Sequence, residues 1–108
     1  MKNAVLRDIP AGKTYNLTAL IGEFGEVSLG RVGFESMIEV GQGAEAMKNE
    51  KAIRTVSKQH ATITYDDKFF IRDHSLNGTR INGTKISNEK GWLRNGDQIF
   101  FGNYGPVV

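Results

Sequence analysis

Ser57 and His60 stand three residues apart, with Asp73 and Asp97 farther along the chain. Hydroxyl, imidazole and carboxylate are the parts of a nucleophilic triad. Their spacing argues against that use, because residues three apart on an extended strand point to opposite faces. No Gly-x-Ser-x-Gly turn is present to present a serine as nucleophile. Two histidines, His60 and His74, and no cysteine leave no ligand set for a metal and no thiolate. No catalytic residue, metal ion or cofactor is expected. Recognition of a local anionic ligand stays open. Arg31 carries a planar, permanently charged fork of donors, Ser57 a hydroxyl, Lys58 a mobile ammonium group and Asn77 a carboxamide.

These side chains need a frame, and the punctuation of the chain is that of an all-β protein. Thirteen glycines separate short runs rich in Ile, Val, Phe, Tyr and Thr. Asn77-Gly78, Asn82-Gly83, Asn95-Gly96 and Gly102-Asn103 mark turns. Between turns the period is two: Ala61, Ile63 and Tyr65 share one face, while His60, Thr62 and Thr64 share the other. Strands are expected at Ala4–Arg7, Thr14–Ile21, Glu26–Leu29, Met37–Val40, His60–Tyr65, Lys68–Asp73, Thr79–Ile81, Lys85–Ile86 and Gln98–Phe101, with a short last strand at Tyr104–Val108. That count suggests a two-sheet antiparallel β-sandwich. Arg31, Ser57 and Asn77 then all fall at strand ends, where loops gathered at one rim of a sandwich commonly bind ligands.

One segment departs from the pattern. Residues 43–53 are rich in helix formers and admit a short inserted helix, with Ala44, Met47 and Lys48 or Lys51 on one side and Glu45 paired with Lys48. It is either a solvated loop decoration or a partner-contacting insertion.

A chain of 108 residues reads as one domain over 1–108. Fourteen basic against twelve acidic side chains leave a net charge of +2, too mild to argue for bulk nucleic-acid binding. No stretch approaches the ~20 apolar residues of a membrane span, and the start carries no signal-peptide pattern. A cytoplasmic, monomeric domain is expected, with neither nucleic acid nor membrane as partner; the chain also fits as one segment of a longer protein.

Four pieces occur in a recognisable order: Gly30-Arg31, Ser57-Lys58-Gln59-His60, Ser75-Leu76-Asn77-Gly78-Thr79 with Asn82-Gly83, and Leu93-Arg94-Asn95-Gly96-Asp97 running on to Phe101-Gly102. The set resembles the forkhead-associated (FHA) domain over about Gly30 to Gly102. The resemblance implies a module that binds a phosphothreonine on a partner protein. A phosphorylated threonine carries about −1.5 to −2 charges and three strong acceptor oxygens, which the donors above suit. By that resemblance Arg31 and Ser57 contact phosphate, with help from Lys58, and Asn77 holds the main chain of the peptide. Leu76 occupies a neighbouring site position where the family often has a small polar residue. His60 braces the binding loops, with Gly30 and Gly78 as further structural support.

Twenty-five residues separate Arg31 from Ser57, more than the family usually shows, and the excess coincides with residues 43–53. A phosphate-independent scaffold on the same fold is the competing reading. The presence of Arg31 and Ser57 argues against it, since neither is needed to build a sandwich. A single-stranded nucleic-acid platform would want aromatic rings interleaved with basic residues, but Phe69-Phe70 and Phe100-Phe101 alternate in strands, so at least one of each pair belongs to the core.

Overall fold

Alternating apolar residues in short strands can bury themselves only if two sheets meet face to face. The computed structural model, which describes residues 4–31, 37–41, 50–86 and 90–108, has that arrangement. The elements are β1 (Val5–Asp8), β2 (Lys13–Asn16), α1 (Leu17–Phe24), β3 (Glu26–Gly30), β4 (Met37–Glu39), α2 (Glu50–Ile53), β5 (Ala61–Asp66), β6 (Lys68–Asp73), β7 (Thr79–Ile81), β8 (Thr84–Ile86), β9 (Lys90–Leu93), β10 (Ile99–Phe101) and β11 (Tyr104–Val107). One sheet runs β2-β1-β11-β10-β7-β8 and the other β4-β3-β5-β6-β9. Val27, Leu29, Ala61, Ile63 and Ile71 from the second sheet meet Leu6, Ile99, Phe101, Tyr104 and Val107 from the first, and these buried faces form the core.

The turn chemistry follows the sequence. Asn82 (φ 52°) and Gly83 (φ 87°) join β7 to β8 in the positive-φ geometry that Asn-Gly favours. Asp97 accepts from the Arg94 backbone N–H (2.8 Å) and from Asn82 Nδ2 (2.8 Å), which clamps the turn before β10.

Three features differ from the strand reading. Thr14–Ile21 is not one strand: the chain turns helical at Leu17, because Asn16 Oδ1 caps the helix by accepting from the Ala19 N–H (3.0 Å). Leu17 and Ile21, one helical turn apart, are both buried, and Gly25 (φ 82°) ends α1 with its N–H on the Ile21 carbonyl (2.7 Å). The sandwich is not wholly antiparallel, since β3 and β4 pair in parallel with Ser28 opposite Met37 and Gly30 opposite Glu39. Strand β9 also pairs with β6, Phe70 opposite Trp92, where only a turn signature was read. Of the expected insert, Glu50–Ile53 is helical; Ala44, Glu45, Met47 and Lys48 lie outside the described residues.

Asp8, buried at the end of β1, ties the two sheets together. It accepts from the Gly41 N–H (2.7 Å) beyond β4 and from the Tyr104 hydroxyl on β11. Burial, reinforced by this bond to Asp8, pushes the Tyr104 phenol far above its ordinary range.

Candidate functional site

Three connections lie together at one rim: the residue leaving β3, the stretch 54–60 between α2 and β5, and the stretch 74–78 between β6 and β7. Gly30 makes the first approach possible. A Cβ there would lie 1.9 Å from the Lys58 carbonyl oxygen and 3.0 Å from that of Ser57, so no larger residue fits without moving backbone. Across this contact the Arg31 N–H donates to the Ser57 carbonyl (3.0 Å) and Arg31 Nε donates to the Val56 carbonyl (3.1 Å). Val56 is buried, which anchors the segment that holds the arginine. With Nε engaged, the exposed Arg31 side chain is held at its base, and its terminal N–H groups remain to donate.

The second and third connections are joined through His60, which is 0% exposed. Its Nδ1 accepts from the Ser57 N–H (3.0 Å) and its Nε2 lies 2.8 Å from the Gly78 carbonyl. An accepting Nδ1 leaves the proton on Nε2, so Nε2 donates to Gly78 and the imidazole is neutral. Burial holds its pKa below the ordinary value, against the opposing pull of the Gly78 carbonyl and Asp73. The ring meets Phe101 edge-on, centroids 5.3 Å apart. Both nitrogens are committed, so the imidazole has none left to act as a general base on the Ser57 hydroxyl. The Ser57 N–H is consumed by this bond. Its Oγ accepts from the Leu76 N–H (3.2 Å), which leaves the hydroxyl proton to donate.

Asn77 Nδ2 donates to the Thr55 carbonyl (2.9 Å), and Gly78 takes φ 89° directly after it, a left-handed conformation suited to glycine. The Leu76 side chain is 91% exposed, standing on the solvent side of a residue whose backbone is tied down. Lys58 is exposed beside Ser57. Arg31, Ser57, Leu76 and Asn77 are therefore all hydrogen-bonded to, or part of, the single segment Thr55–Ser57.

Two supports escaped the sequence reading. Asp73 Oδ1 accepts from the Ser75 hydroxyl, the Ser75 N–H (3.1 Å) and the Thr79 hydroxyl (2.9 Å), while Ser75 Oγ accepts from the Gly78 N–H (2.7 Å). Burial alone would raise the Asp73 pKa, but the bonds from Ser75 and Thr79 outweigh it and hold the carboxyl below its ordinary value. The Asp-x-Ser spacing at 73–75 is the local signal that was available. Thr55 Oγ1 donates to the Ala52 carbonyl and accepts from the Asn103 N–H (2.7 Å), linking α2 to the β10–β11 turn. Among the described residues no group of three or more His, Asp or Glu side chains gathers as a metal site.

The comparisons with known proteins bear on the family and the fold. The sequence model of the FHA domain matches residues 50–102, which span the Ser57–His60, Ser75–Thr79 and Leu93–Gly102 pieces. Residues 50–102 belong to the FHA family. Solved FHA domains share the fold of the chain. One, from work on phosphothreonine-dependent FHA domain interactions, is 22% identical, with a TM-score of 0.68 over 99% of this chain and 94% of that one. The FhaA FHA domain complexed with the intracellular domain of Rv3910 is 24% identical, with a TM-score of 0.68 and 96% of both chains covered. The N-terminal FHA domain of Rad53p from S. cerevisiae, in complex with a phosphothreonine peptide, is 23% identical with a TM-score of 0.55, covering 81% of this chain and 70% of that one. No curated protein matches the chain. The 25 residues between Arg31 and Ser57 include α2.

Proposed function

We propose that this FHA domain, acting as one unit over 1–108, binds a phosphothreonine-bearing segment of a partner protein at the Arg31–Ser57–Asn77 rim and catalyses no reaction. One observation carries the reading: a guanidinium, a hydroxyl and a carboxamide are held on the same three-residue backbone segment, Thr55–Ser57, at the edge of a rigid sandwich. The terminal N–H groups of Arg31 and the Ser57 hydroxyl take the phosphate oxygens, and Lys58 adds charge beside them. Asn77, with one amide N–H on Thr55, uses its remaining N–H and its oxygen on the peptide main chain. Leu76 offers apolar contact to a neighbouring side chain of the ligand. The role is signalling in the cytoplasm through phosphorylation-dependent association, without nucleic acid or membrane. Among the described residues no helix is long and apolar enough to cross a bilayer.

Calorimetric titration with matched phosphothreonine, phosphoserine, glutamate and unmodified threonine peptides tests the reading. Phosphothreonine should bind best, and Arg31→Ala should weaken it by about 1.5–3 kcal/mol, the range for hydrogen bonds to a charged group. Glutamate should bind weakly, because it has two acceptor oxygens where phosphate has three. Equal binding of the unmodified peptide would instead establish a phosphate-independent scaffold.

A further inference from the structure

The three Asn-Gly pairs that mark turns, Asn77-Gly78, Asn82-Gly83 and Asn95-Gly96, share a chemical weakness. Asparagine is a labile side chain, and it deamidates most readily before glycine, where no Cβ hinders approach of the next main-chain nitrogen. That nitrogen loses its proton to a base in the solvent and bonds to the asparagine Cγ. The C–N bond of the carboxamide breaks, and its nitrogen takes up a proton and leaves as ammonia. Water then opens the resulting succinimide at either carbonyl, giving aspartate or isoaspartate. Overall one water is consumed, one ammonia is released, and nothing is oxidised or reduced. Two freedoms are required. The glycine N–H must be open to a base, and the carboxamide must be able to swing over that nitrogen.

At the rim both freedoms are withdrawn. Gly78 is buried and its N–H donates to Ser75 Oγ (2.7 Å), while Asn77 Nδ2 donates to the Thr55 carbonyl (2.9 Å). At Asn82 the carboxamide is pinned through both atoms: Nδ2 donates to Asp97 Oδ1 (2.8 Å), and Oδ1 accepts from the Gln98 N–H (2.9 Å). Asn95 differs. Its turn is closed by the Asp97 N–H on the Arg94 carbonyl (3.1 Å), with Gly96 at φ 85°. Asn95 and Gly96 are both exposed, and among the described residues neither the Asn95 carboxamide nor the Gly96 N–H has a hydrogen-bond partner. This turn also lies at the far end of the sandwich: Leu93 pairs with Phe69 at the start of β6, whereas the rim lies beyond Asp73, where β6 finishes.

We propose that this protein deamidates at Asn95, and that Ser75 and the Thr55 carbonyl guard Asn77 from the same reaction. An aspartate at 77 sets a negative charge beside an anionic ligand and removes the carboxamide donors; an isoaspartate also lengthens the main chain there by one carbon. At 95 the same products alter a turn remote from the rim. The order of reaction stands on hydrogen bonding alone; only its consequence for binding rests on the phosphothreonine reading.

The test incubates the protein in mildly alkaline buffer, folded and in urea, and follows each asparagine by mass-spectrometric peptide mapping. In the folded protein Asn95 should convert at least about tenfold faster than Asn77 or Asn82, the effect of hydrogen bonds worth about 1–1.5 kcal/mol in the barrier. In urea the three rates should converge, since each pair keeps its glycine. Ser75→Ala should raise the Asn77 rate about tenfold and leave the Asn82 rate unmoved, the latter showing that the variant has not simply unfolded. If all three rates rise in that variant, the ratio of folded to urea rates at Asn77 in the unchanged protein decides: well below one supports the guard, and near one overturns it. Conversion at Asn77 as fast as at Asn95 in the folded protein, or an Asn77 rate unmoved by Ser75→Ala, also overturns it. Protein deamidated at Asn95 should bind a phosphothreonine peptide within about twofold of fresh protein, whereas Asn77→Asp should bind about tenfold more weakly. If fresh protein binds no such peptide, the phosphothreonine reading falls while the order of deamidation stands.

Discussion

The imidazole of His60 spans two loops at once, taking the Ser57 N–H at 3.0 Å on Nδ1 and donating to the Gly78 carbonyl at 2.8 Å through Nε2. Those loops carry the Ser57 hydroxyl and the Asn77 carboxamide. The Gly78 carbonyl also accepts from the Gly102 N–H (2.9 Å), so the ring sets the position of the β10–β11 turn as well.

Replacing His60 with alanine leaves the half-buried Ser57 N–H without its acceptor and weakens the satisfaction of the buried Gly78 carbonyl, and it opens a void beside Phe101. The expected cost is about 3 kcal/mol of folding stability, a large share of the roughly 5–15 kcal/mol of an ordinary domain. Urea denaturation reads it directly. An unchanged midpoint would mean that the ring braces nothing.

The same burial makes a prediction about pH. Because the folded His60 pKa lies below the ordinary value, the unfolded chain takes up a proton that the folded protein refuses. Stability from this group is complete above about pH 6.5 and falls as pH drops below it, by at most about 1.4 kcal/mol per unit, until the folded pKa is reached. Asp73 works in a separate window. Its depressed folded pKa contributes stability above the ordinary carboxylate value of about 3.9, and that stability is lost as pH falls through the folded pKa. Ring NMR signals of His60 should titrate below the range of a solvent-exposed histidine. A midpoint at or above about 6.5 would contradict the buried neutral ring.

Much of the frame was legible because its signals are local. Asn82-Gly83 specifies its own hairpin, and the alternation of Ala61, Ile63 and Tyr65 specifies which face is inward. Helix α1 was hidden for a different reason. Thr14–Ile21 mixes β-branched, aromatic and aliphatic residues, and only the cap at Asn16 and the burial of Leu17 with Ile21 decide for helix. Parallel pairing of β3 with β4 leaves no mark in either strand. At the rim, the residue types of Arg31, Ser57 and Asn77 were readable, but the use of the Ser57 N–H by His60 was not. Thr55 was invisible because its partner Asn103 is 48 residues away.

Gly30→Ala should damage the site while adding only one methyl group. The new Cβ would lie 1.9 Å from the Lys58 carbonyl, so the 57–58 backbone must withdraw and the Arg31 N–H must release the Ser57 carbonyl. We expect a loss of about 1–3 kcal/mol in stability, as for an overpacked interior, together with weakened phosphopeptide binding. Full affinity at normal stability would mean that the close approach of the two loops is not what positions the donors.

Arg31→Lys separates charge from geometry at the rim. Lysine keeps one positive charge but has no Nε to donate to Val56 and no fork for two phosphate oxygens. Because the arginine is anchored at Nε by the Val56 carbonyl (3.1 Å), its terminal donors are aimed before the ligand arrives, whereas a lysine must be ordered on binding, at up to about 2 kcal/mol of rotamer entropy. The lysine variant should therefore bind a phosphothreonine peptide about tenfold more weakly than the arginine protein. It should also respond more steeply to added salt, because a point charge depends more on long-range attraction than on directed bonds. Its stability should change little, since the side chain is exposed. Titrations at two ionic strengths measure both effects; equal affinities at both would mean that only the charge of Arg31 acts on the ligand and that its anchoring to Val56 is incidental.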